Sequence, residues 1–336
     1  MTPRLSVLDL SAVPAAHPPS VAPRRTVQLA HAAEEAGFHR FWVGEHHNSR
    51  AVSSTAPQVM IAAIAATTTR IRVGSGGIML PNHAPLAVAE TFRVLAALHP
   101  GRIDLGLGRA PGTDPRTAGA LRRGHAVQWP DFGDLYAELL GHAYGFPPGH
   151  PLAGVRAEPS DVDLPPVWIL GTGRYGARAA GMNGAGFAFG GHIGDQDPRQ
   201  AIDDYRRHFR PTAVGASTDR PSVILCIGAI CAVTATRAEE MALAADLATA
   251  RLRTGAAGPV PTPEEAAAHV WTPAELETAH RFRHTRVVGT PAVVRAELET
   301  RADKYGADEI MIITNVHDPG EQRLSYELIA DAFHAG

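Results

Sequence analysis

The sequence alternates eight times between a short apolar segment typical of a buried strand and a longer segment with helical spacing. Such an alternation predicts a parallel sheet, and eight units close a (β/α)₈ TIM barrel. Because strand order cannot be deduced from this pattern, a doubly wound open sheet is the alternative. We expect one α/β domain over residues 1–336. The predicted strands are 4–10, 41–44, 71–78, 103–107, 167–170, 187–190, 222–231 and 309–314.

The predicted helices follow these strands, and two of the connections are longer than the others. The insertion after the fourth strand covers 109–165, and the one after the seventh includes the irregular segment 254–286. The latter is either a candidate lid over the catalytic face or a surface excursion. The predicted helices are 24–36, 57–68, 85–98, 134–142, 174–182, 198–209, 237–251, 291–305 and 321–333.

The composition excludes several classes of protein. A hydrophobic content of 45% suffices for a large core, and a formal net charge of −3 gives no basic surface for nucleic acid or an anionic membrane. Cys226 and Cys231 share one apolar segment and are predicted to be buried thiols rather than a disulfide. With neither a leader-like segment nor an apolar run of membrane-spanning length, we expect a soluble, cytoplasmic protein.

Polar residues follow the second strand, where Glu45, His46 and His47 precede Asn48. This cluster offers imidazoles for proton transfer beside a carboxylate, and only one histidine needs to face the barrel axis because side chains alternate along a strand. A metal site is the alternative, but no further histidines stand at ligand spacing, so no metal is predicted.

Glycines end the third strand, in the sequence Gly74-Ser75-Gly76-Gly77. Glycine within a strand marks either a β-bulge or a close approach of the backbone to a ligand. A planar ligand lying against bare backbone explains all three glycines better than a bulge does.

Arg109 follows the fourth strand and is flanked by small residues. Such an arginine is suited to binding a phosphate or a carboxylate. The alternative is a simple ion pair with Asp104 or Asp114.

The fifth strand is followed by a G-x-G-x-x-G sequence that opens a helix. It lies in the fifth unit rather than the first, which is atypical of a dinucleotide site, but backbone amides at a helix N-terminus still bind phosphate. We therefore predict a mononucleotide phosphate site there, formed by Thr172, Gly173, Arg174, Tyr175 and Gly176.

Together these motifs resemble the bacterial luciferase-like flavin-dependent monooxygenases. The resemblance extends over nearly the whole chain, including residues 98–104 (LHPGRID) and 288–291 (VGTP). It is especially close to a branch found in antibiotic gene clusters, of the mensacarcin-pathway type.

The resemblance implies a role for individual residues. His46 matches the catalytic histidine, with Glu45 and His47 beside it. Gly76 and Gly77, after Ser75, match a non-proline cis peptide under the isoalloxazine ring, and Arg109 and residues 172–176 match the phosphate site. Three positions depart from the pattern: Gly176 replaces a phosphate-binding hydroxyl, Gly108 replaces a reactive cysteine, and Gly190-Gly191-His192 ends the sixth strand.

The resemblance also implies an activity. The family uses reduced FMN as a diffusible co-substrate, forms a flavin C4a-peroxide with O2 and oxygenates a small organic molecule, here an aromatic polyketide or another secondary metabolite by analogy. It further implies a separate NAD(P)H:flavin reductase and a homodimer, whose interface we place at the helix 85–98. The alternatives are an F420-dependent hydride-transfer oxidoreductase, a non-catalytic flavin-binding protein and, last, a metal-dependent hydrolase.

Overall fold

The computed structural model describes residues 2–122, 131–194, 196–211 and 213–335. Within these residues the strands are β1 (Arg4–Asp9), β2 (Arg40–Val43), β3 (Arg72–Ser75), β4 (Ile78–Met79), β5 (Ile103–Gly108), β6 (Val167–Gly171), β7 (Gly186–Gly190), β8 (Val223–Cys231), β9 (Arg286–Gly289) and β10 (Glu309–Ile313). The helices are α1 (Val21–Glu35), α2 (Pro57–Thr67), α3 (Pro85–Leu98), α4 (Pro115–Leu121), α5 (Phe132–Tyr144), α6 (Arg174–Met182), α7 (Pro198–His208), α8 (Ala235–Arg253), α9 (Pro263–Ala268), α10 (Pro273–Arg283), α11 (Pro291–Tyr305) and α12 (Pro319–His334).

Eight of these strands form a closed parallel barrel in the order β10-β1-β2-β3-β5-β6-β7-β8. Pairing of β8 with β10, with Leu225 opposite Ile310, closes the ring. The predicted TIM barrel is confirmed, and the open-sheet alternative is wrong. The two extra strands lie outside the ring, β4 beside β5 and β9 beside β8.

The helix boundaries follow from local chemistry. Eight helices of the described residues begin with a proline, whose missing N–H costs no hydrogen bond at the first position. Gly306 ends α11 in the left-handed conformation at φ 62°. The predictions for 85–98, 174–182 and 291–305 agree with α3, α6 and α11 at both ends.

The segment 254–286 contains more regular secondary structure than the sequence predicts. It contains α9 and α10, capped by Thr262 and by a capping box between Thr272 and Glu275. Asp246 of α8 pairs with Arg283 of α10 at 2.6 Å, so α10 is held against the preceding helix. Val260 forms an isolated β-bridge with Pro14 in the loop after β1. This contact places part of the segment beside the carboxyl-terminal end of the barrel, here called the mouth. Its role as a lid remains a prediction.

The barrel interior is filled by large apolar side chains from alternating strand positions. This inner cluster is separate from the larger one between the sheet and the helices, and Cys226 belongs to it. Cys226 and Cys231 are both buried free thiols, as predicted, and burial raises the pKa of each thiol. The inner cluster comprises Leu8, Trp42, Trp168, Ala188, Ile224, Cys226, Met311 and Ile313.

A buried ionic cluster closes the amino-terminal end of the barrel. The Arg40 guanidinium donates to Asp104 and Glu309, at 2.7 Å each, and lies 4.9 Å from the ring centre of Trp168. Arg72 pairs with the other oxygen of Asp104 at 2.5 Å. Burial raises the pKa of the Asp104 carboxyl, but the two arginines outweigh it and the net pKa is lowered, so the carboxylate is ionised.

None of the helices in the described ranges is long and apolar enough to cross a lipid bilayer.

We predict that Asp104→Asn destabilises the fold by about 3 kcal/mol or more, because it leaves buried arginine charge without its carboxylate. Urea denaturation at pH 7 measures the loss. Asp303→Asn, at an exposed position on α11, is the matched control and is expected to change stability by less than about 0.5 kcal/mol. A loss below about 1 kcal/mol for Asp104→Asn would contradict the importance given to this cluster.

Candidate active site

Glu45 is a buried carboxylate that connects two segments at the carboxyl end of the barrel. Its Oε1 accepts hydrogen bonds from the Nε2 atoms of His47 and His83, at 2.9 Å each. Its Oε2 accepts from the backbone N–H of Met79 at 2.8 Å, and Asn82 Nδ2 donates to Oε1 at 3.2 Å. Glu45 therefore joins the end of β2 to the segment that follows β4.

The charge state of Glu45 follows from these contacts. Burial raises its pKa, but the hydrogen bond and charge of His83, with the bonds from His47 and Met79, outweigh burial and lower the net pKa. Glu45 is thus an ionised anchor for two imidazoles. His83 could not be predicted as a member of this site, because 38 residues separate it from Glu45 and no local pattern connects them.

His46 and His47 are directed differently, as strand alternation predicts. His47 is bound to Glu45, whereas the Nδ1 atom of His46 is buried and has no hydrogen-bond partner in the described part of the chain. The backbone of His46 is fixed by donation of its N–H to the Ser54 carbonyl at 2.7 Å. Burial lowers the pKa of His46, against the opposing charge of Glu45. His46 is therefore a neutral imidazole at pH 7, able to donate or accept a proton.

The glycines after β3 form a wall without side chains. The peptide bond between Gly76 and Gly77 is cis, and it separates β3 from β4, which the sequence predicts as one strand. A Cβ on Gly76 would lie 2.6 Å from Leu8, and one on Gly77 would lie 2.7 Å from the carbonyl oxygen of Gly106. A side chain at Gly77 would therefore collide with backbone, whereas one at Gly76 would first have to displace the Leu8 side chain.

Ser75 contributes to this wall through the backbone rather than through an open hydroxyl. Its buried Oγ donates to the Gly106 carbonyl at 2.8 Å and accepts from the Gly106 N–H at 3.0 Å. Ser75 thus holds β3 against β5.

Arg109 lies beside the start of α6. Its guanidinium is 4.7 Å from the ring centre of Tyr175, and the Tyr175 hydroxyl contacts Asp131 at 3.3 Å. The predicted alternative of an ion pair with Asp104 does not occur, since Asp104 is held by Arg40 and Arg72.

Asp114 is the other candidate partner of Arg109, and it has a different role. Its carboxylate caps α4 by accepting the backbone N–H groups of Arg116 and Thr117. Arg109 makes no ion pair within the described ranges and is exposed, so its charge is available to an anion near the α6 amides.

The G-x-G-x-x-G segment supplies backbone amides rather than a second cation. Gly173 is the N-cap of α6, and a Cβ there would meet only Gln196, at 3.8 Å, so the space over this helix end is open. Arg174 donates to Asp204 of α7 at 2.6 Å, which directs its side chain along α7. Of residues 172–176, the hydroxyl of Thr172 and the first amides of α6 remain to bind a phosphate, and they fit one.

Two clefts lie outside this constellation. One of about 530 Å³, at the amino-terminal end of the barrel, is lined by Arg4, Glu34 and His39 among others, far from the strand ends that carry the motifs. The other, of about 470 Å³, lies beside Asn48 and Ser53. No group of three or more His, Cys, Asp or Glu side chains in the described residues is arranged to hold a metal ion.

We predict that Glu45→Gln destabilises the protein by about 2 kcal/mol at pH 7, because charge-assisted hydrogen bonds are stronger than neutral ones. The folded-state pKa of Glu45 lies below its ordinary value of 4.5, so its stabilisation is present above that pH and is lost as the pH falls through the folded-state value. Urea denaturation should show the difference between wild type and variant shrinking below about pH 4.5.

The exposed Glu277→Gln is the matched control and should show little difference at either pH. A difference for Glu45→Gln that stays constant or grows on acidification would contradict an ionised Glu45.

Comparison with known proteins identifies the family. The model of the luciferase-like monooxygenase family matches residues 3–309. The uncharacterized protein YceB of Bacillus subtilis (strain 168) is 40% identical over 333 residues, which cover 98% of this chain and 99% of YceB. A luciferase-like monooxygenase of Escherichia coli (strain K12) is 38% identical over 326 residues, covering 97% and 96%.

Solved structures agree. The crystal structure of apo-MsnO8 superposes with a TM-score of 0.88 at 32% identity, covering 99% of this chain and 98% of that one. Two more distant structures, each 16% identical, share the fold alone. They are the oxygenating constituent of 3,6-diketocamphane monooxygenase from Pseudomonas putida in complex with FMN (TM-score 0.69, 98% and 97% covered) and an F420-dependent secondary alcohol dehydrogenase with an F420–acetone adduct (TM-score 0.68, 99% and 99% covered). This chain belongs to the luciferase-like monooxygenase family.

Proposed function

We propose that this protein is the oxygenase component of a two-component monooxygenase, which uses reduced FMN and O2 to oxygenate a small organic substrate. The observation that carries the proposal is the constellation at the barrel mouth. A neutral imidazole, His46, shares this mouth with a bare glycine wall and with an anion site formed by Arg109 and the first amides of α6.

The flavin is assigned to the half of the mouth formed by β3, β5 and β6. Arg109, the Thr172 hydroxyl and the amides of α6 would hold its phosphate, and the wall at Gly76–Gly77 would face its ring. Bound reduced FMN supplies the electrons that activate O2. A separate NAD(P)H:flavin reductase would deliver it in that form.

His46 is assigned the acid–base role. As a neutral imidazole it can give or take a proton at the mouth, and Glu45 fixes the adjoining backbone by binding His47 and His83. The segment 254–286 beside the mouth would exclude water when substrate is bound. The resemblance to the antibiotic-cluster branch favours an aromatic polyketide or another secondary metabolite as the substrate.

We expect anaerobic titration of the purified protein to show tighter binding of reduced FMN than of reduced F420. After mixing with O2, the FMN complex should give a transient absorbance that differs from both reduced and oxidised flavin. His46→Ala should bind reduced FMN within about threefold of wild type, because His46 is not part of the phosphate site, yet change the lifetime of the transient.

The other possible results of these titrations would each favour one of the alternative functions. Preference for F420, with no reaction with O2, would indicate hydride transfer. Flavin binding with neither a transient nor any effect of His46→Ala would indicate a non-catalytic flavin-binding protein. The exposed His280→Ala, on α10, is the control for His46→Ala.

We further propose a homodimer formed through the outer faces of α2 and α3. Val59 on α2 and Leu98 on α3 are 67% and 64% exposed, and Val94 on α3 is 46% exposed. These side chains make adjacent helices apolar on the side away from the barrel, as is typical of an interface.

The double variant Val94→Arg/Leu98→Arg should sediment as a monomer at micromolar concentration, where we expect wild type to be a dimer. Analytical ultracentrifugation gives the comparison. Val270→Arg is the control, because Val270 is 87% exposed but lies between α9 and α10. A double variant that dimerises as wild type does would place the interface elsewhere.

A further inference from the structure

Three polar side chains lie beyond the carboxyl ends of alternate barrel strands: β2, β10 and β7. Trp42, Ala188 and Ile313 of these strands belong to the inner cluster of the barrel. Inward-facing positions recur every second residue, so the alternation carried past the extended ends of β2 and β10 reaches His46 from Trp42 and Asn315 from Ile313. His192 lies in the turn that follows β7, and its electrostatic interaction with His46 places the two imidazoles near each other.

Each of these residues has a buried polar atom without a partner. The atoms are His46 Nδ1, His192 Nδ1 and Asn315 Oδ1, and none is hydrogen-bonded within the ranges that the structure describes. The three side chains are only partly buried as a whole. Since buried polar atoms in proteins are nearly always hydrogen-bonded, these three atoms bond water in the free protein and can bond a ligand with matching polar groups that displaces it.

These residues occupy the part of the mouth that the flavin motifs leave free. The motifs follow β3, β5 and β6, whereas β7, β8, β10, β1 and β2 form the remaining arc of the ring. Alternate strands of a TIM barrel contribute to the same layer of side chains. His46, His192 and Asn315 therefore form one polar layer on this arc.

The turn that carries His192 is fixed by its neighbours. A Cβ on Gly191 would lie 2.9 Å from the Cys226 carbonyl oxygen, so glycine allows the turn to pack on β8. Arg253, at the end of α8, donates to the carbonyl of Ile193, and its guanidinium lies 4.5 Å from the ring centre of Phe282. The backbone is thus fixed on both sides of His192, at Gly191 and at Ile193.

The layer carries no net charge at neutral pH. The pKa of His192 is lowered to about 4, first by burial and then by His46 and Arg253. His46 is also neutral, and the charged or titratable groups facing it, Glu45 and His47, are bound to each other. The nearest cation is Arg253, whose guanidinium is engaged by the Ile193 carbonyl and the Phe282 ring. A carboxylate desolvated against His46, His192 and Asn315 would gain no opposite charge from these three side chains, whereas a hydroxyl or carbonyl would gain hydrogen bonds.

We propose that His192 and Asn315, opposite His46, form the binding site for the organic substrate, and that this substrate is a neutral molecule with a hydroxyl group, of which a phenol is the simplest aromatic case. The Asn315 oxygen accepts the hydroxyl hydrogen, and the imidazole of His192 bonds the hydroxyl or a neighbouring carbonyl. The inference rests on the proposed function, because it takes the other half of the mouth to be the flavin site.

The test compares 2-naphthol with 2-naphthoate as matched neutral and anionic probes, by calorimetric titration of the full chain without flavin. Wild type should bind naphthol at least about tenfold more tightly than naphthoate. His192→Phe and Asn315→Leu should each weaken naphthol binding about 5- to 20-fold, as the loss of a hydrogen bond predicts. His192→Gln keeps hydrogen-bonding capacity and should restore most of the affinity, and the exposed His280→Phe is the control.

Each variant is also titrated anaerobically with reduced FMN, which should bind within about twofold of wild type. If reduced FMN binds none of the proteins, the proposed function is refuted. The naphthol measurements test the substrate site independently of that result. Three results would overturn the proposed substrate site. They are equal or tighter binding of naphthoate by wild type, no binding of naphthol by wild type, and unchanged naphthol affinity in folded His192→Phe and Asn315→Leu.

Discussion

The bond between the Arg40 guanidinium and the carboxylates of Asp104 and Glu309 is the constraint on which the barrel depends. It joins β2 to β5 and β10 inside the amino-terminal end, and the two tryptophans Trp42 and Trp168 lie against it. Ion pairs thus fill the amino-terminal end of the barrel, and apolar side chains fill its middle. The opposite end carries glycines and polar side chains, of which Glu45 with its two histidines stabilises the local fold and the others are available to ligands.

The polar mouth is built in two layers of different character. Glu45 holds His47 and His83 in fixed contacts, so this layer is saturated and serves to position backbone. His46 stands beside it with an unsatisfied ring nitrogen. Glu45 thus has its hydrogen bonds filled and holds the structure, whereas His46, the next residue in the sequence, has a free ring nitrogen and is the residue to which we assign proton transfer.

Much of the fold is predictable from the sequence because its signals are local. The apolar periodicity of strands and helices, together with proline at helix starts and glycine at helix ends, separates the two kinds of segment. All eight barrel strands are predicted in this way. The helix α10 is not predicted, although its capping box between Thr272 and Glu275 is a local signal that periodicity alone does not detect. The contacts of His83 with Glu45 and of Arg174 with Asp204 are unpredictable locally, because 38 and 30 residues separate the partners. The position of His192 beside His46 is likewise not predictable by counting along β7, because the chain turns at residues 191–193.

The bare wall at Gly76 and Gly77 has an evolutionary consequence. A substitution that gives Gly77 a side chain would collide with the backbone of Gly106, and one at Gly76 would have to displace the Leu8 side chain, so both positions resist change and Gly77 resists it more. Side chains can be exchanged with less disturbance on the arc from β7 to β2 and in the long connections after β5 and β8. Relatives that differ in what they oxidise should therefore vary along that arc while keeping glycine at the position of Gly77.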